Sequence, residues 1–304
     1  MIRLNLHYDT PGWAYHRRCL ALAKHAPDDF EVIVGPGRGS QGQYAGCDLA
    51  LQLCYTHVRE LRKRYRDAGA RPLIVAGLNV GWSPATGDYL RTAITEADHV
   101  IVNSRDCWER AGRPAGSTWI SNGVDRREFP ILASPAGRRP KLLWTGSAFH
   151  RRLKGYDDLV VPIFRRLWRE RRIEAEARLV DSHGGPTRWT PDQMRDWYNT
   201  GTVYVCASET EGTPNPALEA ASAGCVVCST RVGNMPELIA DGVNGRLVDR
   251  TLDGLYAGIC DCLDRYAEMQ AAMEPVIAGW DWSIRAADYF GLFRRLLGRT
   301  AACE

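Results

Sequence analysis

Apolar, strand-like runs alternate with amphipathic, helix-like runs along this chain, and that alternation narrows the folds open to it more than any other feature. "IRLNLHY" reads as a strand, "AYHRRCLALAKH" as a helix and "FEVIVG" as a strand again. "DLALQL", a basic helix, "PLIVAGL", a helix near Tyr89–Glu96 and "HVIVNS" continue the series. Strands separated by helical stretches imply an α/β fold with parallel sheets covered by helices on both faces. After Phe129, "PILASPAGRRP" is rich in Pro, Ala and Gly and reads as a linker. The alternation then restarts with "KLLWTG", a helix from Asp157, "EAEARLVDS", "DQMRDWYNTG", "TVYVCAS", a helix after Asn215 and "GCVVCS". Two such halves joined by a hinge imply a crevice between the carboxyl ends of two sheets, where open α/β folds bind ligands.

The length, 304 residues, suits two domains, and 45% hydrophobic with 25% charged residues is ordinary for a soluble globular protein. No apolar run approaches the roughly 18 residues of a membrane span. "MIRLNLHYDTPGW" lacks a secretory apolar core of about 7–15 residues. A cytoplasmic location is expected. Cys225 and Cys228 form a C-x-x-C, but inside a strand-like run whose alternation sends the two thiols to opposite faces. Cys260 and Cys262, two apart on a helix, do not face each other either. Reduced, buried thiols are the expectation for the ten cysteines. The net charge is only +3, yet basic residues clump at Arg59–Arg66, Arg138–Lys154 and Arg165–Arg172. Such runs serve either as solvated helix faces or as phosphate contacts.

"GRGSQG", residues 37–42, matches G-x-G-x-x-G after a strand. A dinucleotide site needs a helix to open there, and only "QYAG" precedes the next strand, so a loop is expected. "ETEGTPNPALEA", residues 209–220, is more informative. Asn215 followed by Pro216 is a helix-start signal, with Asn215 expected to cap the first turn and Pro216 to take the first helical position, and Gly224 a helix-stop signal. The first turn of such a helix is an anion site, and Gly212 lets the preceding backbone approach a ligand closely. Glu211 and Glu219, spaced E-x7-E, flank that site, where carboxylates suit the hydroxyls of a nucleotide sugar on either side of its diphosphate. Equally, Glu219 can act only on the helix dipole.

The stretch Ala207–Val248, "ASETEGTPNPALEAASAGCVVCSTRVGNMPELIADGVNGRLV", resembles the donor-site signature of glycosyltransferase family 4. "VIVNS…WISNGVDRREF", "WTGSAFHRRLKGYDDL" and "WDWSIRAADYFGLFRRLL" resemble further segments of that family in the same order. The resemblance runs from about Val100 to the end; the first hundred residues match in outline, and "YDTPGWAYHRR" is similar to small, often phage-encoded members. It implies a GT-B fold: two Rossmann-like domains facing each other across a cleft. The first spans residues 1–135 and is completed by a terminal helix at 285–304; the donor-binding domain spans 136–284. It further implies retaining transfer from a nucleotide sugar, by default a UDP-hexose. Glu211 would contact the transferred sugar, Glu219 the ribose, and Lys154 the departing diphosphate, supported by the backbone of Gly212, Thr213, Pro214 and Asn215. Gly146 and Ser147 would line the strand end, and Gly12, in "TPGWA", would let the acceptor domain approach the donor.

Two departures accompany the resemblance. Family members usually carry an arginine where Ser147 stands, and Arg151 or Arg152 is the substitute expected here. Many also carry a histidine where this chain has Leu78 and Asn79; His7, His16, His57 and His150 are the other histidines considered, or else no histidine is needed and the departing phosphate itself accepts the acceptor's proton. No D-x-D cluster follows a strand, so no metal or other cofactor is expected. The acceptor is either a hydroxymethylated pyrimidine in DNA, held by clustered arginines and stacked on Trp13, Tyr15 or Trp82, or a glycan or lipid hydroxyl. A nucleotide-sugar binder without transfer, and an epimerase, are the readings of another class. Residues after "RLVDSHGGPT" are expected at the base pocket, with the base left open.

Overall fold

The computed structural model describes residues 1–36, 44–79, 86–180 and 189–298. The glycine loop at 37–42, Trp82 and residues 181–187 lie outside these. The chain divides into two units, residues 1–123 with 282–304, and residues 124–281.

In the first unit the order is β1 (Ile2–Tyr8), α1 (Ala14–Lys24), β2 (Phe30–Pro36), β3 (Leu49–Gln52), α2 (Val58–Asp67), β4 (Leu73–Leu78), α3 (Thr86–Glu96), β5 (His99–Val102), α4 (Arg105–Arg110) and β6 (Ser117–Trp119). Its sheet is ordered β2-β1-β3-β4-β5-β6, and every pair is parallel. All four residues of β3 are buried, which is why the run reads as continuously apolar instead of alternating. Helix α1 turns Arg18, Cys19 and Leu22 inward at helical spacing.

The second unit runs β7 (Lys141–Ser147), α5 (Val161–Arg171), β8 (Glu174–Val180), α6 (Pro191–Tyr198), β9 (Val203–Cys206), α7 (Asn215–Ser222), β10 (Val226–Thr230), α8 (Met235–Leu238), β11 (Gly245–Val248), α9 (Leu252–Asp264) and α10 (Tyr266–Ala278). Its parallel sheet is ordered β11-β10-β9-β7-β8. The winding repeats that of the first sheet: the first strand of each unit lies between the second and the third. Connections therefore leave the first and third strands in opposite directions, which opens a switch point at their carboxyl ends. The last helix, α11 (Trp282–Leu296), returns to the first unit. There Tyr289, Phe290 and Phe293 are buried in one core with Leu4, Leu6 and Leu22. The buried Arg18 ties this helix down, donating to the Tyr289 hydroxyl and to Asn79 Oδ1.

The join falls at Gly123–Val124, ahead of the Pro-rich stretch expected to be the hinge. Residues 124–132 instead pack on the second unit. Ser222 Oγ donates to the Phe129 carbonyl at 2.7 Å, and the Leu132 N–H reaches Asn199 Oδ1 at 2.8 Å. The return falls at Trp282 instead of residue 285. Cys225 and Cys228 belong to the cores on opposite faces of the second sheet, as the alternation requires. The described cysteines are free thiols, and burial pushes that of Cys225 up to about 12.

Candidate active site

The switch point of the second unit lies outside β7 and β9, and the loops that leave these two strands meet there. Lys154, on the loop after β7, forms an ion pair with Glu211 Oε1 on the loop after β9. Ser208 Oγ donates to the same oxygen at 2.7 Å. The side chains of Lys154 and Glu211 are only 26% and 11% exposed. An ion pair removed from water to this degree loses solvation, which the serine hydroxyl partly restores to the carboxylate.

The two loops are stitched together by backbone. Gly155 has φ +68°, and a Cβ there would stand 2.5 Å from the Ala207 carbonyl oxygen. Only glycine satisfies both the left-handed conformation and the close approach. The Glu209 N–H donates to the Leu153 carbonyl at 2.8 Å. Arg250, just beyond β11, donates from Nε to Ala207 O at 3.2 Å and from its terminal nitrogen to Arg152 O at 3.3 Å. One guanidinium thus spans the loop that carries Lys154 and the loop that carries Glu211. At the end of β7, a Cβ on Gly146 would stand 2.7 Å from the Trp144 ring and 3.4 Å from Lys154 Cγ, so the glycine leaves the lysine stem its space. Ser147 Oγ accepts the Phe149 N–H at 3.2 Å, which turns the chain out of the strand.

Gly212 and Thr213 are buttressed from the turn after β10. Gly233 has φ +54°, and a Cβ there would come 2.4 Å from the Gly212 carbonyl. Asn234 Nδ2 donates to Thr213 Oγ1 at 3.2 Å. Helix α7 begins at Asn215, with Pro214 in the capping position, so Asn215 is the first helical residue and not the cap expected from the sequence. Its first turn also offers fewer donors than expected. Pro214 and Pro216 have no N–H, that of Asn215 goes to Thr213 O at 2.9 Å, and that of Ala217 to Pro214 O at 2.8 Å. The helix end is as expected: Gly224 has φ +91°. Its N–H bonds Ala221 O at 3.0 Å, and that of Cys225 bonds Ala220 O at 2.9 Å, the two bonds of a Schellman motif.

Glu219 points to α6, where its Oε2 accepts the Tyr198 hydroxyl at 2.9 Å. Both carboxylates act on a third group, the buried phenol of Tyr204. Burial raises its pKa most, and the charges of Glu211 and Glu219 add to the effect. Tyr198, Asn234 and Arg250 carry no sequence motif that marks them. Ser208 lies within the stretch Ala207–Val248 that resembles the donor-site signature.

Other expected residues make contacts of their own. Arg151 is engaged by Asp157 and stacks over Tyr156 at 5.2 Å, while the Arg152 side chain is exposed. In the first unit, Gly12 has φ +74° and donates its N–H to His16 Nδ1 at 2.7 Å, so the turn itself requires glycine. His7 is buried in β1 and bonded to the Tyr65 hydroxyl at 2.9 Å. Burial holds its imidazole down at about 4. His57 and His150 are exposed. Asn79 receives Arg18 and donates to Leu53 O at 2.8 Å, so both ends of its amide are engaged. Trp13 and Tyr15 are half-buried, and burial raises the Tyr15 phenol to about 12. Among the described residues no group of three or more His, Cys, Asp or Glu side chains is placed to hold a metal ion. No described helix is long and apolar enough to cross a membrane.

Two Rossmann-like α/β units, one with a lysine–glutamate pair at its switch point, define the class. Among solved structures the chain is similar to sucrose-phosphate synthase from Thermosynechococcus elongatus, with a TM-score of 0.72 and 14% identity over 98% of this chain and 100% of that one. It is also similar to Anabaena HepE in complex with UDP-glucose, with a TM-score of 0.68 and 15% identity over 97% of this chain and 100% of that one. The fold is GT-B. Residues 139–265 match the family model for glycosyl transferases group 1. The D-inositol 3-phosphate glycosyltransferase of Streptomyces scabiei is 32% identical over 32% of this chain, a stretch that is 22% of that relative's length. The GDP-mannose:cellobiosyl-diphosphopolyprenol alpha-mannosyltransferase of Komagataeibacter xylinus is 26% identical over 59% of this chain and 51% of its own length.

Proposed function

We propose that the chain transfers a sugar from a nucleotide-sugar donor to an acceptor hydroxyl, with retention of configuration and without a metal. The observation that carries this reading is the Lys154–Glu211–Ser208 cluster at the switch point. Lys154 is the cation that meets the leaving diphosphate, and Glu211 the carboxylate that meets hydroxyls of the transferred sugar. In the free protein each neutralises the other, so donor binding exchanges one ion pair for contacts on both partners. Charge that develops on the leaving phosphate is stabilised by a cation already held in place. Because the first turn of α7 keeps few free donors, more of that stabilisation falls on Lys154 and on the loop at Gly212. Glu219, oriented by Tyr198, takes the ribose hydroxyls. The donor read here is a UDP-hexose, in keeping with the UDP-glucose complex of HepE.

The acceptor favoured is a glycan or lipid-linked hydroxyl. The basic helix is one support for a DNA acceptor, and three of its guanidiniums are held by acidic groups of the same unit. The test is a transfer assay with a panel of nucleotide sugars, offered glycan, lipid and hydroxymethylated DNA acceptors and read by mass spectrometry. A hexose gain that disappears in Glu211→Gln supports the reading, and gain on the DNA base alone moves the acceptor to DNA. Nucleotide binding by calorimetry with no transfer to any acceptor leaves a non-transferring binder, and conversion of the donor into an isomeric nucleotide sugar without an acceptor product indicates an epimerase. Absence of nucleotide binding overturns the donor site itself.

A further inference from the structure

The basic run of α2 is left unused by the donor site, and its guanidiniums fall into two sets. Arg59 bonds Glu96 at 3.0 Å, Arg62 bonds Asp98 Oδ2 at 3.0 Å and the Glu96 carbonyl at 3.1 Å, and Arg64 pairs with Glu60 one turn away. Arg66 has no acidic partner among the described residues, and neither has Arg71 on the connection to β4. These two arginines line one cavity of about 460 Å³, together with Arg62 and Asp98. Its floor is apolar and aromatic, made by Tyr65, Ala70, Pro72 and Ile74.

Charge complementarity selects the occupant. Arg62 and Asp98 cancel, and Asp98 Oδ2 is further taken by the Ile74 N–H at 2.7 Å. Arg66 and Arg71 leave a charge of two positive units, which matches the roughly −1.5 to −2 of a phosphate monoester at pH 7. The arginines are not needed to close the end of α2. Its last carbonyls, of Arg64, Tyr65 and Arg66, already receive the N–H groups of Ala68, Ala70 and Gly69 at 3.1, 2.9 and 3.0 Å. Dipole complementarity accounts for Arg66 but not for Arg71, which follows the helix. Leu73 and Ile74 open β4, so the cavity lies at the amino edge of the sheet. Ligands that react in folds of this type bind at the carboxyl edge.

We infer that this cavity is a phosphomonoester site, separate from the chemistry, in which Arg66 and Arg71 fork the phosphate and the floor covers the apolar body that carries it. It takes either a phosphorylated small molecule or the headgroup of a phosphomonoester lipid, and it stands independently of the transfer reaction proposed above.

The test titrates phenyl phosphate into the full chain, with Lys154→Gln as the background so that the donor site does not compete. Saturable binding is expected, weakened about tenfold or more in Arg66→Gln/Arg71→Gln, because two charge-assisted hydrogen bonds are lost. Phenylsulfonate, with one charge, is expected to bind several-fold more weakly. Both variant residues are exposed, and an unchanged melting temperature separates lost binding from lost folding. Arginine-dependent retention on phosphatidic acid vesicles assigns the lipid source, and binding of phenyl phosphate without retention assigns the soluble one. Equal affinity in the double variant overturns the site. So does arginine-dependent, salt-sensitive binding of duplex DNA with no saturation by phenyl phosphate, which marks a contact for a polyanion.

Discussion

The two sheets are wound in the same order, and each opens a switch point beside its first strand, but the two openings are furnished differently. Outside β7 and β9 stand an ammonium and a carboxylate, Lys154 and Glu211, each still partly in contact with solvent. Outside β1 and β3 the polar groups close on one another. The Gly12 N–H meets His16, the Gln52 side chain accepts the Cys54 N–H at 3.2 Å, and His7 is sealed beneath as a neutral ring. One topology thus carries two electrostatic regimes. In the second unit an ammonium and a carboxylate meet there as an ion pair.

The comparison breaks most visibly at Glu211. Glu211→Gln keeps the shape and removes the charge, and transfer is expected to fall about 10²–10³-fold, as when one preorganised polar group is deleted elsewhere. Steady-state kinetics with the best donor measures it; a loss below threefold would show that the acid is not part of the reaction.

The neutral regime is tested by acid. His7 has its imidazole lowered from about 6.5 to about 4, so the unfolded chain takes up a proton first as the pH falls. The His7 contribution to the first unit's stability should be lost as the pH falls from 6.5 to 4, by roughly 3 kcal/mol in all. Hydrogen exchange of β1 amides across the window reports it, and His7→Gln should flatten the profile. A wild-type curve already flat between those limits would refute the buried neutral ring.

Gly155→Ala puts a Cβ 2.5 Å from the Ala207 carbonyl at φ +68°, so the Lys154 loop must lift or strain. A cost of about 1–3 kcal/mol is expected, seen as a lower denaturation midpoint of the second unit. Gly12→Ala, at the corresponding turn of the first unit, should cost only about 1–2 kcal/mol from φ alone. The smallest effect expected is at Arg250. Arg250→Lys reaches one carbonyl where the guanidinium spans two, and kcat should fall several-fold while KM for the donor holds. Equal changes in both constants would make Arg250 a general support of the fold.

Much of this architecture was legible in the sequence because it rests on local patterns. The alternation gave the parallel sheets, Gly224 the end of α7, and the terminal "WDWSIRAADYF" the helix that returns to the first unit. What stayed hidden depends on neighbours brought in by topology. The acids that hold the basic helix, Glu96 and Asp98, lie thirty and more residues beyond it, around the start of β5. Asn215 was read as a cap because Asn and Pro in sequence are one, but the preceding Pro214 takes the capping place. Lys154 and Glu211 were each named from a motif; that they pair, with Ser208 on the same oxygen, follows only from β7 and β9 flanking the switch point. Composition marks the Pro-rich stretch as a linker, although Phe129 and Leu132 beside it are bonded to the second unit.

The return of α11 to the first unit has a consequence for how the molecule is made. The second unit is one unbroken stretch, residues 124–281, and can close as soon as it has left the ribosome. The first unit, although its strands precede the second unit in the chain, lacks Tyr289, Phe290 and Phe293 in its core until α11 has been added. During synthesis the older half therefore waits, apolar surface uncovered, on the younger. A chain cut at residue 281 would release a finished second unit beside a first that has no lid for its core.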